Sequence, residues 1–121
     1  MSLTVTVVDD SQTMRDMVSY TLKEAGYNVM EAEDGQQALD VLSGAKTDVI
    51  ITDLNMPNMD GLTLIKELRA KAEYQGTPIL MLTTEADTEK KNEGRAVGAT
   101  GWIVKPFNPE KLLSVIQKVS G

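Results

Sequence analysis

Polar side chains of the kinds that bind metals and phosphate end the apolar runs of this 121-residue sequence. The first run ends in Asp9-Asp10 and the third in Asp53, whereas the fourth ends in Thr83 and the fifth in Lys105. In open parallel sheets, binding sites form at the carboxyl ends of the strands. If the runs are parallel strands, three carboxylates, a hydroxyl and an ammonium group converge at one edge of a sheet.

Such a group of carboxylates is unfavourable without a cation, because like charges within about 4–6 Å raise one another's pKa. The sequence contains no cysteine and no histidine, so a metal must be held by oxygen atoms of Asp10, Asp53 and nearby backbone carbonyls. Magnesium accepts one or two carboxylates together with water and phosphate oxygens. The pattern therefore predicts a Mg²⁺ site. Lys105 would pair with a phosphoryl oxygen or the carboxylate, and Thr83 would donate a hydrogen bond.

Most of these residues also have a purely structural interpretation. Asp10 or Ser11 could cap the first helix, and Thr83 or Thr84 the fourth. Lys105 could be an ordinary solvated lysine in a loop. Asp53 differs, because it follows the apolar run 49–52 directly at a position where we expect partial burial. The functional interpretation depends mainly on Asp53 and on the convergence of the other residues around it.

Five short runs predict strands: four are apolar, at 4–8, 48–52, 78–82 and 101–104, and the second in chain order, at 27–32, is more polar. The third and fourth do not alternate between apolar and polar residues, which is typical of strands covered on both faces in a parallel sheet. Segments of helical period lie between them. The first of these predicted helices ends before Gly26, a residue type that commonly follows the last turn of a helix. Three others begin at Asp34, Asp60 and Asn108-Pro109.

The segment 85–97 is the weakest predicted helix. Its one large aliphatic residue is Val97, and Gly94 costs about 1 kcal/mol relative to alanine inside a helix. Strands that alternate with helices predict an α/β fold, a doubly wound parallel sheet of five strands and five helices with right-handed crossovers. We expect helices on both faces of the sheet and a marginally stable fourth helix.

Composition limits the classes of function. With 41% hydrophobic and 25% charged residues, the chain has the size and composition of one folded domain, which we expect to span 1–121. The net charge of -6 disfavours nucleic acid as a partner. No apolar run approaches the ~20 residues that cross a bilayer, and no signal-peptide pattern begins the chain. We therefore expect a cytoplasmic domain without membrane or nucleic-acid partners, and the lack of cysteine agrees with a reducing compartment.

Four motifs give the chain a specific resemblance over nearly its whole length. In order and spacing, it resembles response-regulator receiver domains, and among them the single-domain chemotaxis regulators. The motifs are Val7-Val8-Asp9-Asp10, the segment 53–61 (DLNMPNMDG), the segment 82–86 (LTTEA) and Val104-Lys105-Pro106-Phe107. The resemblance implies a flavodoxin-like sheet of strand order 2-1-3-4-5.

The resemblance also implies the chemistry of the site. Asp53 would accept a phosphoryl group from a phosphohistidine of a sensor histidine kinase, assisted by Thr83 and Lys105. Mg²⁺ would be bound by Asp10, Asp53 and the backbone carbonyl of Asn55, with Asp9 acting through water. Such a domain is a signalling switch that catalyses only its own phosphorylation and dephosphorylation. Asn55 and Glu85, near the path of attacking water, would tune the lifetime of the phosphoryl group.

For the output, the resemblance implies that Thr83 moves toward the phosphoryl group while an aromatic residue of the fifth strand turns inward. That residue is Trp102, where the family more often has tyrosine or phenylalanine; the alternative is an exposed aromatic packed on the fourth helix. The fourth helix, fifth strand and fifth helix would bind a downstream target, either a motor switch or a relay protein, and a phosphatase is a further possible partner. The Lys105-Pro106 peptide would be cis, as in the family.

Other functions fit less well. An aspartyl-nucleophile phosphatase has an acid two residues after the nucleophile, where this chain has Asn55. A phosphorylation-deficient interaction module usually lacks part of the acid cluster, which is complete here. A nucleotide-binding module needs a glycine-rich phosphate loop, which is absent. A phosphorelay or phosphate-sink receiver, and a receiver excised from a multidomain regulator, stay open as alternatives.

Overall fold

The computed structural model describes residues 3–54, 56–83, 88–105 and 107–120. Five strands form one sheet in the order β2-β1-β3-β4-β5, and every pair of neighbours is parallel. The strands are β1 (Thr4–Val8), β2 (Asn28–Ala32), β3 (Val49–Asp53), β4 (Ile79–Thr83) and β5 (Gly101–Val104). This confirms the predicted sheet and its strand order.

Five α-helices connect and follow the strands. They are α1 (Gln12–Glu24), α2 (Gly35–Leu42), α3 (Gly61–Arg69), α4 (Thr88–Val97) and α5 (Pro109–Ser120). A short 3-10 turn (Ala72–Tyr74), for which the sequence has no clear signal, precedes β4.

Short polar side chains begin the helices as the sequence predicts. The side chains of Ser11, Asp34 and Asp60 each accept a hydrogen bond from the backbone N–H three residues later, and so cap α1, α2 and α3. Asn108 caps α5 by accepting from the N–H of Glu110, two residues later, at 2.9 Å and from that of Lys111, three residues later, at 3.3 Å. Ser11 rather than Asp10 therefore caps α1, which leaves the Asp10 carboxylate available for another role.

Gly26 ends α1 in the way that its position predicts. Its φ of 96° lies in the left-handed region, and its N–H donates to the carbonyl of Lys23 at 3.0 Å while the N–H of Tyr27 donates to that of Leu22 at 3.0 Å. These two bonds satisfy carbonyls that the end of the helix leaves free. The chain then enters β2 at Asn28.

Two hydrophobic layers, one on each face of the sheet, form the core. One contains Val8, Ile50, Ile79 and Met81 with side chains of α2 and α3. The other contains buried residues of β1, β3, β4 and β5 with side chains of α1 and α5, and Val29 of β2 packs against it. The helices therefore cover both faces, which confirms the doubly wound arrangement.

Helix α4 packs through a glycine. Gly94 is the one buried residue among the α4 positions whose burial is described, and a Cβ added there would lie 2.1 Å from Sδ of Met81. The glycine that weakens the helix thus permits its close approach to β4. Because so little apolar surface anchors α4, its packing agrees with the prediction of a marginal helix.

Within the described part of the chain, no helix combines the length and the apolar character that crossing a bilayer requires.

Candidate functional site

Three strands bring the acidic residues and the lysine to one edge of the sheet. Asp9 follows β1 directly, Asp53 is the last residue of β3, and Lys105 follows β5. Asp53 pairs with Leu82 of β4, so β3 extends one residue beyond the predicted 48–52 run. Because the strands are parallel, their carboxyl ends meet at the same edge.

The carboxylates of Asp9, Asp10 and Asp53 form a compact cluster, which we call the carboxylate trio. Each contributes an oxygen, and these oxygens lie within 4.8 Å of one another. The Lys105 ammonium is 3.3 Å from Oδ2 of Asp9 and 3.3 Å from Oδ1 of Asp53. Among the described residues, one cation thus contacts two of the three carboxylates.

The members of the trio differ in burial and in bonding. Asp9 is completely buried and Asp53 is 8% exposed, whereas Asp10 lies at the surface. Oδ1 of Asp9 accepts a hydrogen bond from the N–H of Ser11 at 2.9 Å. Oδ2 of Asp9 is buried near Lys105, but no group of the described residues is aligned to donate a hydrogen bond to it.

That unsatisfied buried oxygen and the surplus of carboxylates fit a divalent cation. Buried anionic oxygens are stabilised by ion pairs or metals, and here a single lysine serves two carboxylates. All the available ligands are oxygen atoms, which magnesium and calcium prefer. The described residues therefore form a cluster that can hold a metal ion.

The surroundings shift the pKa of Asp53. Burial raises it above its ordinary value, Lys105 opposes the shift, and the neighbouring Asp9 adds to it. The N–H of Leu54, at 2.9 Å from Oδ1, favours the ionised form. Burial and Asp9 together outweigh these two favourable partners, so a cation at the site would stabilise the ionised carboxylate.

The loop after β3 is held from two sides. Asn58 has a positive φ of 68°, and its side-chain amide donates to Oδ2 of Asp34 at 2.9 Å. Gly61, the first residue of α3, donates its N–H to the carbonyl of Leu54 at 2.9 Å. Hydrogen bonds of Asn58 and Leu54 thus hold the chain that follows Asp53 to the beginnings of α2 and α3.

Several predicted site residues lie outside the described part of the structure. These are Asn55, Glu85, Pro106 and the side chain of Thr83; the backbone of Thr83 ends β4. The proposed Asn55 carbonyl ligand, the tuning roles of Asn55 and Glu85, and the cis peptide at Lys105-Pro106 therefore stay predictions.

Trp102 lies partly buried beneath α4. The Lys91 ammonium is 4.8 Å and the Arg95 guanidinium carbon 5.1 Å from the centre of its ring. Both distances are within the range of cation–π attraction. The indole therefore packs against cations of α4, next to a groove that Val104 and Val115 help to line.

Sequence reasoning missed one residue beside the site, Arg15 of α1. Its Nη1 donates to the backbone carbonyl of Asp9 at 2.7 Å, and its Nε lies 3.2 Å from Oε1 of Glu31. The available signal was a single basic residue one helical turn beyond the cap Ser11, on a helix that begins beside two aspartates. No chemistry distinguished it from a solvated arginine.

A doubly wound sheet with three carboxylates and a lysine at its carboxyl edge is the architecture of a phosphoryl-accepting receiver. The family model described as the response regulator receiver domain matches residues 5–117. The chain therefore belongs to the response-regulator receiver family, whose members are switches in two-component signalling and not enzymes in the ordinary sense.

Relatives in chemotaxis are similar over almost the whole chain. The chemotaxis protein CheY-3 of Vibrio cholerae is 40% identical over 119 residues, which are 98% of this chain and 92% of the relative. A CheY homolog of Campylobacter jejuni is 43% identical over 117 residues, 95% of this chain and 90% of that protein. The solved structure of the chemotaxis response regulator CheY4 of Vibrio cholerae is 55% identical, with a TM-score of 0.94 and coverage of 98% of this chain and 99% of the other.

Membership of this family implies two general kinds of protein partner. A receiver domain obtains its signal from a histidine kinase and passes it to a downstream target by a change in protein binding. The similarity to chemotaxis regulators supports the same type of regulator here.

Proposed function

We propose that residues 1–121 form one receiver domain of the chemotaxis type, in which Asp53 accepts a phosphoryl group from a phosphohistidine of a sensor histidine kinase. The observation that carries the proposal is the position of Asp53 at the end of β3, within 4.8 Å of two other carboxylates and 3.3 Å from the Lys105 ammonium. An isolated surface aspartate would have neither the burial nor the cationic partner.

The two oxygens of Asp53 are suited to different tasks. Oδ1 accepts from the N–H of Leu54 and faces Lys105, so Oδ2 is the oxygen left to act as nucleophile. In the transfer, Oδ2 forms a bond to phosphorus while the phosphorus–nitrogen bond to the donor imidazole breaks and its electron pair returns to nitrogen. Lys105 then balances negative charge on the phosphoryl oxygens, and Thr83 donates a hydrogen bond to one of them.

The cation that best suits this site is Mg²⁺. Asp10, Asp53 and the backbone carbonyl of Asn55 would hold it, with Asp9 acting through water; few protein ligands leave room for water and phosphate oxygens, as magnesium requires. Bound magnesium supplies charge neutralisation and alignment of the phosphoryl oxygens. The same residues, by admitting water in line, would also remove the phosphoryl group, at a rate tuned by Asn55 and Glu85.

The face formed by α4, β5 and α5 is the proposed output surface. A groove of about 710 Å³ runs along β5 and α5, lined by residues that include Trp102, Val104, Lys111 and Val115. Val104 is 40% exposed, although it is aliphatic. Thr83 and Trp102 would link phosphorylation to this surface, to which a motor switch or relay protein would bind, and a phosphatase would be a further partner.

Acetyl phosphate and Mg²⁺ provide a direct test of the proposal. The intact mass of the parent should rise by one phosphoryl group, whereas Asp53→Asn should show no increase. Asp40→Asn, which removes an exposed carboxylate from α2, should be phosphorylated like the parent. Phosphorylation of the Asp53 variant, or none in the parent at any magnesium concentration, would reject the proposal.

A further inference from the structure

The Arg15 guanidinium connects three elements beside the carboxylate trio. It starts from the first turn of α1, donates from Nη1 to the carbonyl of Asp9 at 2.7 Å, and lies with Nε 3.2 Å from Oε1 of Glu31 in β2. The Arg15 side chain is only 16% exposed. This is a partly buried contact to the main chain of a site residue, and a solvated surface arginine would not make it.

Through that contact Arg15 restrains the direction of the chain at Asp10. The N–H of Asp9 donates to the carbonyl of Ala32 at 3.1 Å, so both polar groups of the Asp9 backbone are anchored. A peptide group is planar, and fixing the Asp9 carbonyl therefore fixes the plane that places the Cα of Asp10. Among the described residues, no hydrogen bond or ion pair holds the Asp10 carboxylate itself, so the backbone sets the direction in which its side chain leaves the main chain.

Glu31 in turn orients Arg15. It draws Nε toward β2, which leaves Nη1 directed at the Asp9 carbonyl. Arginine is suited to this double contact because its planar group carries donors in a rigid fork, whereas a lysine offers a single ammonium. Without Glu31, the guanidinium would be free to turn toward the carboxylate trio and compete with a bound cation.

We propose that Arg15, oriented by Glu31, is a positioning residue that raises the affinity of the carboxylate trio for a divalent cation. The inference rests on the proposed function, which places Mg²⁺ at the trio. If Arg15 has this role, replacing it with a neutral residue changes the affinity for Mg²⁺ in the direction opposite to that expected from charge alone. Removing a positive charge near a cation site should tighten binding of the cation, whereas losing the anchor of the Asp9–Asp10 peptide should weaken it.

The test is calorimetric titration of the complete chain with Mg²⁺ alone. Arg15→Gln and Arg15→Lys should each raise the Kd about tenfold, the lower end of the effect of residues that orient metal ligands. Glu31→Gln should raise it less, because the glutamine amide oxygen can still accept from Nε, although without the charge. Lys23→Gln, which removes an exposed cation from the last turn of α1, should leave the Kd unchanged.

The possible results distinguish a failure of the positioning role of Arg15 from a failure of the proposed Mg²⁺ site. If the parent binds no Mg²⁺, the proposed metal site is wrong and this inference falls with it. If the parent binds and Arg15→Gln binds as tightly or more tightly, only the inference is overturned. Circular dichroism in metal-free buffer identifies variants that do not fold, and Arg15→Lys and Glu31→Gln decide the matter if Arg15→Gln is among them. A folded variant that is less stable but has an unchanged Kd also overturns the inference.

Discussion

At the scale of single residues, Gly61 determines how closely α3 approaches the proposed phosphoryl acceptor. A Cβ at this position would lie 2.2 Å from the carbonyl oxygen of Asp53 and 2.9 Å from the Cα of Leu54. Both neighbours are backbone atoms, which a side-chain rotation cannot move away. The absence of a side chain at Gly61 therefore lets the first turn of α3 rest directly on the main chain that carries Asp53.

Gly61→Ala should consequently disturb both the fold and the site. Relief of the overlap requires a shift of β3 or α3, and overpacking of this kind typically costs about 1–3 kcal/mol. Urea unfolding should show that loss, and phosphorylation by acetyl phosphate should slow. Gly76→Ala, where an added Cβ meets nothing within 4 Å, is the matched control and should unfold like the parent. Equal stability of the two variants would contradict the steric argument.

The sequence predicts which residues enter the site better than it predicts their environments. Asp9, Asp10, Asp53 and Lys105 follow from strand ends, since parallel strands align these ends at one edge. The sequence does not show that Asp9 is wholly buried while Asp10 is exposed, because adjacent residues beyond a strand end can turn either way. The Arg15 contact was unpredictable for the same reason, since it depends on the direction of one carbonyl group.

At the scale of elements, hydrophobic period and caps predict the strands and helices to within a few residues. The 3-10 turn (Ala72–Tyr74) was missed because its stability comes from tertiary contacts: Tyr74 is 6% exposed and its hydroxyl donates to the carbonyl of Leu42 at 2.7 Å. The close packing of Gly94 on Met81 could not be predicted either, since the sequence shows only that a glycine lowers the stability of the helix.

The first turn of α2 depends on a carboxylate with two partners. Oδ1 of Asp34 accepts from the N–H of Gln37 at 2.8 Å, and Oδ2 accepts from Asn58 at 2.9 Å. These bonds lower the pKa of Asp34 below its usual value of 3.8, the Gln37 contact contributing most. A lowered pKa means that the ionised group stabilises the fold at neutral pH.

Acid should therefore remove part of the stability that Asp34 provides. Its contribution is complete above pH 3.8 and declines as the pH falls through the lower pKa of the folded state. Asp34→Asn keeps a capping side chain, so it should lower the free energy of unfolding by about 1 kcal/mol or less at neutral pH. Below pH 3.8 the difference from the parent should become progressively smaller. Unfolding curves from pH 2 to pH 7 measure this difference.

Asn58→Gly separates the two partners of Asp34. The glycine retains the positive φ but lacks the amide, so the acid-dependent part of the stability should shrink without disappearing. A constant difference between the parent and Asp34→Asn at every pH would show that the charge of Asp34 is not involved.

Helix α4 is the element most open to a shift in population, because Gly94 is its one buried residue among those described. Elements with few buried contacts open at low free-energy cost. Hydrogen exchange should therefore show a change in amide protection over Thr88–Val97 when Mg²⁺ and beryllium fluoride, a phosphoryl mimic, are added. Helix α2, on the same face of the sheet, is the internal reference. Unchanged exchange in α4 would argue against the proposed output surface.

At the scale of the whole molecule, the distribution of charge matters more than the net value of -6. The carboxylate trio concentrates negative charge at one edge of the sheet, with Lys105 as its cation among the described residues. The fold must tolerate this repulsion whenever no divalent ion is bound. The site that performs the proposed chemistry should therefore be a source of instability in metal-free protein.

Asp53→Asn should accordingly stabilise the metal-free protein. Because burial and Asp9 raise the pKa of Asp53, the stability that this group provides in its protonated form is lost as the pH rises through the raised value. At neutral pH the variant, which carries no such charge, should have the higher melting temperature in EDTA. Magnesium should reverse this order of melting temperatures. An ion that binds only the folded state adds about 2.7 kcal/mol to the free energy of unfolding at 100 times its Kd, and the variant lacks one of the carboxylates that would bind it. A variant that is less stable than the parent in EDTA would show instead that the Lys105 ion pair outweighs the repulsion within the trio.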